Sequence, residues 1–214
     1  MTTVAEIKKI HSNIKPEIEK RLQEFELIWK KGSEEDIFAE LVFCIFTPQS
    51  KAKVCWEAVE SLQDKDLLLE GKAAEISLEI NCVRFRNNKA KYLERARELF
   101  TEKGNLRIKS ELRKFDDVFE CRDWLVKTVP GYGYKEASHF LRNIGFGENI
   151  AILDRHILKN LVKLGVISRI PPSISPKKYL EIENKMKKCA EKTKIPMAHL
   201  DIVLWYKETG EIFK

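Results

Sequence analysis

Apolar residues recur three or four positions apart along most of the chain, as in Ile18, Leu22, Phe25 and Trp29 and again in Ile37, Leu41, Val42, Ile45 and Phe46. That spacing gathers an apolar stripe on one side of an α-helix, so the pattern predicts an all-α protein of amphipathic helices. No pair of alternating segments predicts a hairpin of strands. Ser33 followed by Glu34, Glu35 and Asp36 reads as an N-cap with an acidic first turn, opening a helix that ends before Pro48. Further helices are expected over residues 50–62, 86–100, 115–129 and 134–144, the last stopped by Gly145 and Gly147. The proline-rich stretch 171–176 reads as a linker, followed by helices over 178–191 and from 196 to about 208.

Composition narrows the partners. The 214 residues hold 39 Lys plus Arg against 33 Asp plus Glu, a formal charge of +6 that suits a polyanionic partner without dictating a fold. The five cysteines, Cys44, Cys55, Cys82, Cys121 and Cys189, form no C-x-x-C pair, so neither a zinc nor an iron–sulfur site is expected, and no other metal or cofactor. The first residues lack a signal-peptide core and no apolar run reaches membrane-spanning length. A cytoplasmic protein with reduced thiols and no membrane partner is the expectation.

The chemistry concentrates in Val129-Pro130-Gly131-Tyr132-Gly133-Tyr134-Lys135 and, downstream, in Ile152-Leu153-Asp154-Arg155-His156. Two glycines one residue apart permit a tight turn whose amides, with the N-terminus of the next helix, can face a phosphate. Lys135 falls on that helix's first turn, where the positive end of the dipole favours a neutral, nucleophilic amine. The same residues also fit an ordinary turn followed by a solvated lysine. Asp154 is equally placed to cap the helix that follows it.

This pairing resembles the helix-hairpin-helix DNA glycosylase superfamily, whose bifunctional members carry a hairpin of the form L-P-G-V-G-x-K and a later catalytic Asp. The resemblance implies two helical lobes, residues 1–35 with 155–214 and residues 36–154, flanking a DNA cleft, with the hairpin motif at about 117–145. It implies an enzyme, a DNA N-glycosylase with abasic-site lyase activity, in which Lys135 is the nucleophile and Asp154 its acidic partner. Damaged double-stranded DNA would be the partner, met by a monomer at the nucleoid. Members with an iron–sulfur cluster carry four closely spaced C-terminal cysteines, which this chain lacks. The Leu-Asp-Arg-His loop and the short tail ending in Lys214 are most similar to the small type 2 8-oxoguanine DNA glycosylase/lyases. A bifunctional glycosylase for another oxidised base, or a non-catalytic DNA-binding module, are the alternatives.

Further residues gain roles from the resemblance. Gly131, Tyr132 and Gly133 would grip DNA, and Gln49 would fill the gap left by a flipped nucleotide; a turn capped by Ser50 explains Gln49 otherwise. Asp201 and Trp205, one helical turn apart, would bind and stack on the flipped purine, although a core Trp fits the pattern too. His139, one turn after Lys135, would press the opposite face or serve as a structural histidine. Lys214 would read the damaged guanine through its carboxylate. Phe85 would face substrate or DNA, or simply pack.

Overall fold

In the computed structural model, which describes residues 3–214, the capping signals resolve into helices much as their chemistry dictates. Thr3 and Glu6 form a capping box at the start of α1 (Val4–Lys31). Ser33 accepts the Asp36 amide at 3.0 Å while Asp36 accepts the Ser33 amide, opening α2 (Glu34–Phe46). Every residue of α2 from Ile37 to Phe46 is buried, so the anticipated stripe is a fully enclosed helix at the centre of one core. Around it lie α3 (Ala52–Asp64), α4 (Ala73–Glu79), α5 (Arg86–Phe100), α6 (Ile108–Leu112), α7 (Val118–Thr128) and α8 (Tyr134–Asn143). A second core joins the first half of α1 to α9 (Arg155–Lys163), α10 (Pro176–Thr193) and α11 (Met197–Thr209).

The fold is thus two helical lobes, with α1 contributing Ile7, Ile14 and Ile18 to one core and packing Ile28 and Trp29 against the other. Arg122 of α7 and Glu183 of α10 form a buried two-pronged ion pair at 2.6 and 2.9 Å, and Ser138 of α8 joins it at 3.1 Å. Glu183 also accepts the Ala151 amide at 2.8 Å, tying the segment before α9 to α10.

Several local expectations are corrected. Residues Thr101–Glu102 and Asn105–Leu106 pair as β1 and β2, a minimal hairpin whose strands are too short to show alternation. The helix after Pro48 starts at Ala52 with Lys51 at its N-cap, because the Ser50 hydroxyl is turned to Arg84 and Lys89 instead. Helix α7 begins at Val118 rather than Phe115, since Asp117 accepts the Phe119 amide and fixes the start there. The short α4 and α6 span too few turns for a period to register. Among the described residues no helix is long and apolar enough to cross a membrane, all five cysteines are free and no cluster of metal-ligating side chains occurs.

Candidate active site

Between the lobes opens a cavity of about 690 Å³ whose walls are the turn after α2, the first turns of α8 and α9, the face of α11 and the C-terminal tail. Lys135, Asp154, Asp201, Trp205, His139, Lys214 and Gln49 all line it. Seven side chains scattered over more than 160 positions therefore converge on one space.

Lys135 projects from the first turn of α8, with 23% of its side chain exposed. Its Nζ lies 3.3 Å from Thr47 Oγ1 and 3.1 Å from Glu136 Oε1. Asp154 is the N-cap of α9 and accepts the Ile157 amide at 2.8 Å. Burial pushes its carboxyl up from the ordinary range, against the pull of that amide and of the His156 and Lys135 charges. The strap that delivers it is held by the Tyr179 hydroxyl, which receives the Leu153 amide at 3.2 Å and donates to the Ala151 carbonyl at 2.5 Å. Capping and cavity-facing roles coexist in Asp154.

Asp201 on α11 is buried, accepts the Ile152 amide at 3.3 Å and lies 4.0 Å from the Arg142 guanidinium. Burial pushes its carboxyl up to about 6 despite that partial neutralisation. The Trp205 indole N–H is buried and finds no partner in the protein, while the ring meets His156 edge-on at 5.3 Å. His139 is buried against Phe43, and burial together with the Arg142 and Lys135 charges holds its imidazole neutral; its Nε2 is likewise unpaired. Both groups are enclosed in the wall of the cavity without a partner, and a buried polar group left unpaired is costly. The Lys214 ammonium turns away toward buried Glu40 and sits 3.3 Å from the centre of the Trp56 ring.

The hairpin differs from its expected use. Gly131 has φ +82 and lies so close to Tyr92 that a Cβ would fall 2.5 Å from the ring, so only glycine fits. Tyr132, however, is buried with its hydroxyl on the Leu41 carbonyl at 2.8 Å, and its amide bonds to Val129. Its side chain anchors the hairpin to α2 and leaves no polar group free for DNA. The Gly133 amide already donates to Glu136 at 3.0 Å, so a phosphate here depends on the Gly131 amide and the first-turn amides of α8. Phe85 stands 51% exposed outside the cavity wall, its ring under the Arg84 guanidinium, which places it on the rim and not against a base in the pocket.

Sequence reasoning missed Thr47, Glu136, Glu40 and Arg142. Glu136, three residues after Gly133, carried a capping-box signal, and Glu40 was a lone carboxylate in an apolar run like Asp201. Arg142 carried none.

A two-lobed helical fold whose hairpin delivers an amine to the wall of an interlobe cavity, opposite a helix-capping carboxylate, defines the helix-hairpin-helix class of DNA glycosylases. A family model described as 8-oxoguanine DNA glycosylase matches residues 18–195. The 8-oxoguanine DNA glycosylase/AP lyase of Fusobacterium nucleatum subsp. nucleatum is 53% identical over 209 residues, covering 98% of this chain and 96% of its own, and that of Methanocaldococcus jannaschii is 38% identical over 212. The crystal structure of the Methanocaldococcus jannaschii 8-oxoguanine glycosylase/lyase in complex with 15mer DNA containing 8-oxoguanine superposes with a TM-score of 0.89 at 35% identity, covering 99% of each chain. The Thermotoga maritima 8-oxoguanine DNA glycosylase superposes at 0.87 with 32% identity, covering 99% of this chain and 98% of its own. The chain belongs to the 8-oxoguanine DNA glycosylase family.

Proposed function

We propose that this chain removes 8-oxoguanine from double-stranded DNA and then nicks the strand, with Lys135 as nucleophile and Asp154 as the charge that stabilises the reacting sugar. The observation that carries the reading is the convergence of both residues on one cavity that Asp201, Trp205 and His139 also line. A base inside the duplex is out of reach, so its nucleotide must turn out into such a cavity. Gln49, exposed at the mouth, takes the vacated position, and Phe85 on the rim meets the duplex beside it. In the pocket Trp205 and His139 flank the base, Asp201 accepts its N–H groups and Lys214 closes the far wall.

The Lys135 amine then attacks C1′ as the bond from C1′ to the base breaks, and the departing base takes a proton. Ionised Asp154 offsets the positive charge that develops on the sugar. Ring opening gives a protonated Schiff base between Nζ and C1′; loss of the C2′ proton expels the 3′ phosphate and cuts the strand. The same reading assigns residues 1–35 and 155–214 to one lobe and 36–154 to the other, and has a monomer acting on cytoplasmic DNA.

Borohydride trapping on duplex carrying 8-oxoguanine is the test. The wild-type protein should yield a covalent adduct, and Lys135→Gln none, while still binding duplex, because backbone amides and not this side chain hold the phosphate. An adduct formed by Lys135→Gln at the wild-type rate removes Lys135 as nucleophile.

A further inference from the structure

Lys89, in the first turn of α5, is only 4% exposed and does not line the cavity. Its Nζ donates to the Phe46 carbonyl at 2.6 Å, the Pro48 carbonyl at 2.7 Å and Ser50 Oγ at 3.3 Å. Three acceptors match the three N–H groups of an ammonium, the condition under which a buried cation is tolerated. These acceptors bracket Gln49, which has φ +57, a left-handed conformation that a non-glycine residue holds only when its surroundings impose it. Ser50 Oγ also receives the Arg84 amide at 3.0 Å, and the next residue, Phe85, has φ +60. The Lys89 amide donates to the Phe85 carbonyl at 3.1 Å. One side chain and its own backbone therefore fasten both left-handed residues, and these two carry the side chains that protrude at the cavity mouth.

We propose that Lys89 is a positioning residue for extrusion of the damaged nucleotide, clamping residues 46–50 and 84–85 so that Gln49 and Phe85 stand ready to occupy the space it leaves. The inference rests on the reading of Gln49 as the residue that fills that space. A clamp of this kind acts before chemistry and matters only where a stacked duplex must be opened. A substrate already single-stranded needs Lys135 but no wedge.

The test compares wild type, Gln49→Ala, Lys89→Met and the double variant in two single-turnover assays: excision of 8-oxoguanine from duplex, and cleavage of a pre-formed abasic site in a single strand. Lys89→Met should slow duplex excision by about tenfold or more and leave single-strand cleavage within about threefold of wild type. The double variant should lose clearly less than the product of the two single losses, since one residue acts through the other. Multiplying losses, or equal loss on both substrates, overturn the proposal. If Gln49→Ala is impaired and Lys89→Met is not, Lys89 alone is wrong; if wild type excises the base and Gln49→Ala is unimpaired, the wedge reading fails and the clamp falls with it.

If Lys89→Met does not fold, the Lys135→Gln protein bound to duplex with 2-aminopurine beside the lesion gives a second measurement. Burial brings Lys89 down to about 8, and Cys55, Arg84, Lys135 and Glu136 are the titratable groups around it, with Cys55 held up at about 11. Lys135→Gln removes one of the charges that lower Lys89, so fluorescence of the unstacked probe should fall as pH rises above about 8, as the ammonium loses a proton, while DNA remains bound. A signal that stays constant from about pH 7 to 11 overturns the clamp.

Discussion

At the scale of single residues, the two carboxylates of the cavity separate cleanly by substitution. Asn caps a helix about as well as Asp, so Asp154→Asn keeps the bond to the Ile157 amide and removes only the charge. Excision should fall by roughly 10²- to 10³-fold, the usual worth of a preorganised group aimed at developing charge, with little change in melting temperature. Asp154→Ala should lose in addition about 1 kcal/mol of stability from the missing cap. A near-normal rate for the Asn variant would leave Asp154 as a cap and nothing more. Asp201 makes the opposite kind of statement, about stability. It titrates at about 6 in the fold against 3.8 ordinarily, so between those values the folded state holds a proton that the unfolded chain has released. Stability therefore declines as pH rises from about 4 to 6 and stays lower above that. Asp201→Asn should stabilise the fold at pH 7 by up to about 3 kcal/mol, at 1.36 kcal/mol per pKa unit, with a higher melting temperature there and almost no change near pH 4. Melting curves of both proteins at the two pH values check this; an equal difference at both would show that the buried charge is not what Asp201 costs. Keeping a carboxylate that destabilises the fold makes sense where it has a ligand to bind.

At the scale of elements, the strap from Ala151 to Asp154 is positioned from below by α10, through Glu183 and Tyr179. Glu183 also neutralises Arg122, whose guanidinium stacks near Phe119, Tyr134 and Tyr179 in the seam between lobes. Glu183→Gln strands a buried cation, a change that typically costs about 3–5 kcal/mol. For a protein of this size that corresponds to a drop of roughly 6–20 °C in melting temperature. Excision measured well below the transition should also slow, because a single amide oxygen must then serve both Arg122 and the Ala151 amide while the NH2 group opposes the guanidinium; a variant as stable as wild type would show the pair to be dispensable. None of this was legible in the sequence, where Arg122 and Glu183 are two among many charges 61 positions apart. What was legible obeyed local rules: the cap of α2, the start and end of α5, and the glycine at position 131 all follow from nearby residues; the Ser175 cap of α10 lay inside the stretch that reads as a linker. That Lys135 and Asp154 would stand at the start of their helices, where both line the cavity, was legible because hairpin and cap are local as well. The anchoring bond of Tyr132 is not legible because its partner, the Leu41 carbonyl, belongs to a helix 91 positions away, and the burial of Lys89 is not legible because a lysine on an amphipathic helix ordinarily points to solvent.

At the scale of the whole molecule, the formal charge of +6 is small for a protein that holds DNA, so affinity must come from where the cations lie and not from their excess. Much of the surface charge is neutralised in place: Lys30 pairs with Glu26, Lys65 with Glu79, and Lys159 and Lys163 both with Glu208. The cavity mouth is different, for Arg84, Lys51 and Arg155 line it beside Lys135, together with the first-turn amides of α8. A duplex laid across that mouth would release the counterions of only the phosphates it sets against these groups. With about five phosphates neutralised, the logarithm of affinity should fall with the logarithm of salt at a slope near −4.5, so raising salt from about 50 to 200 mM should weaken binding roughly 500-fold. Lys135→Gln, used so that no turnover intervenes, is the protein for the measurement, on undamaged duplex by fluorescence anisotropy. Arg84→Ala should lower the slope by about one unit if its guanidinium meets a phosphate, since one fewer counterion is then released. A slope close to zero would mean that the cleft between the lobes does not hold the backbone of DNA, and an unchanged slope in Arg84→Ala would move the phosphate path away from the rim on which Gln49 and Phe85 stand.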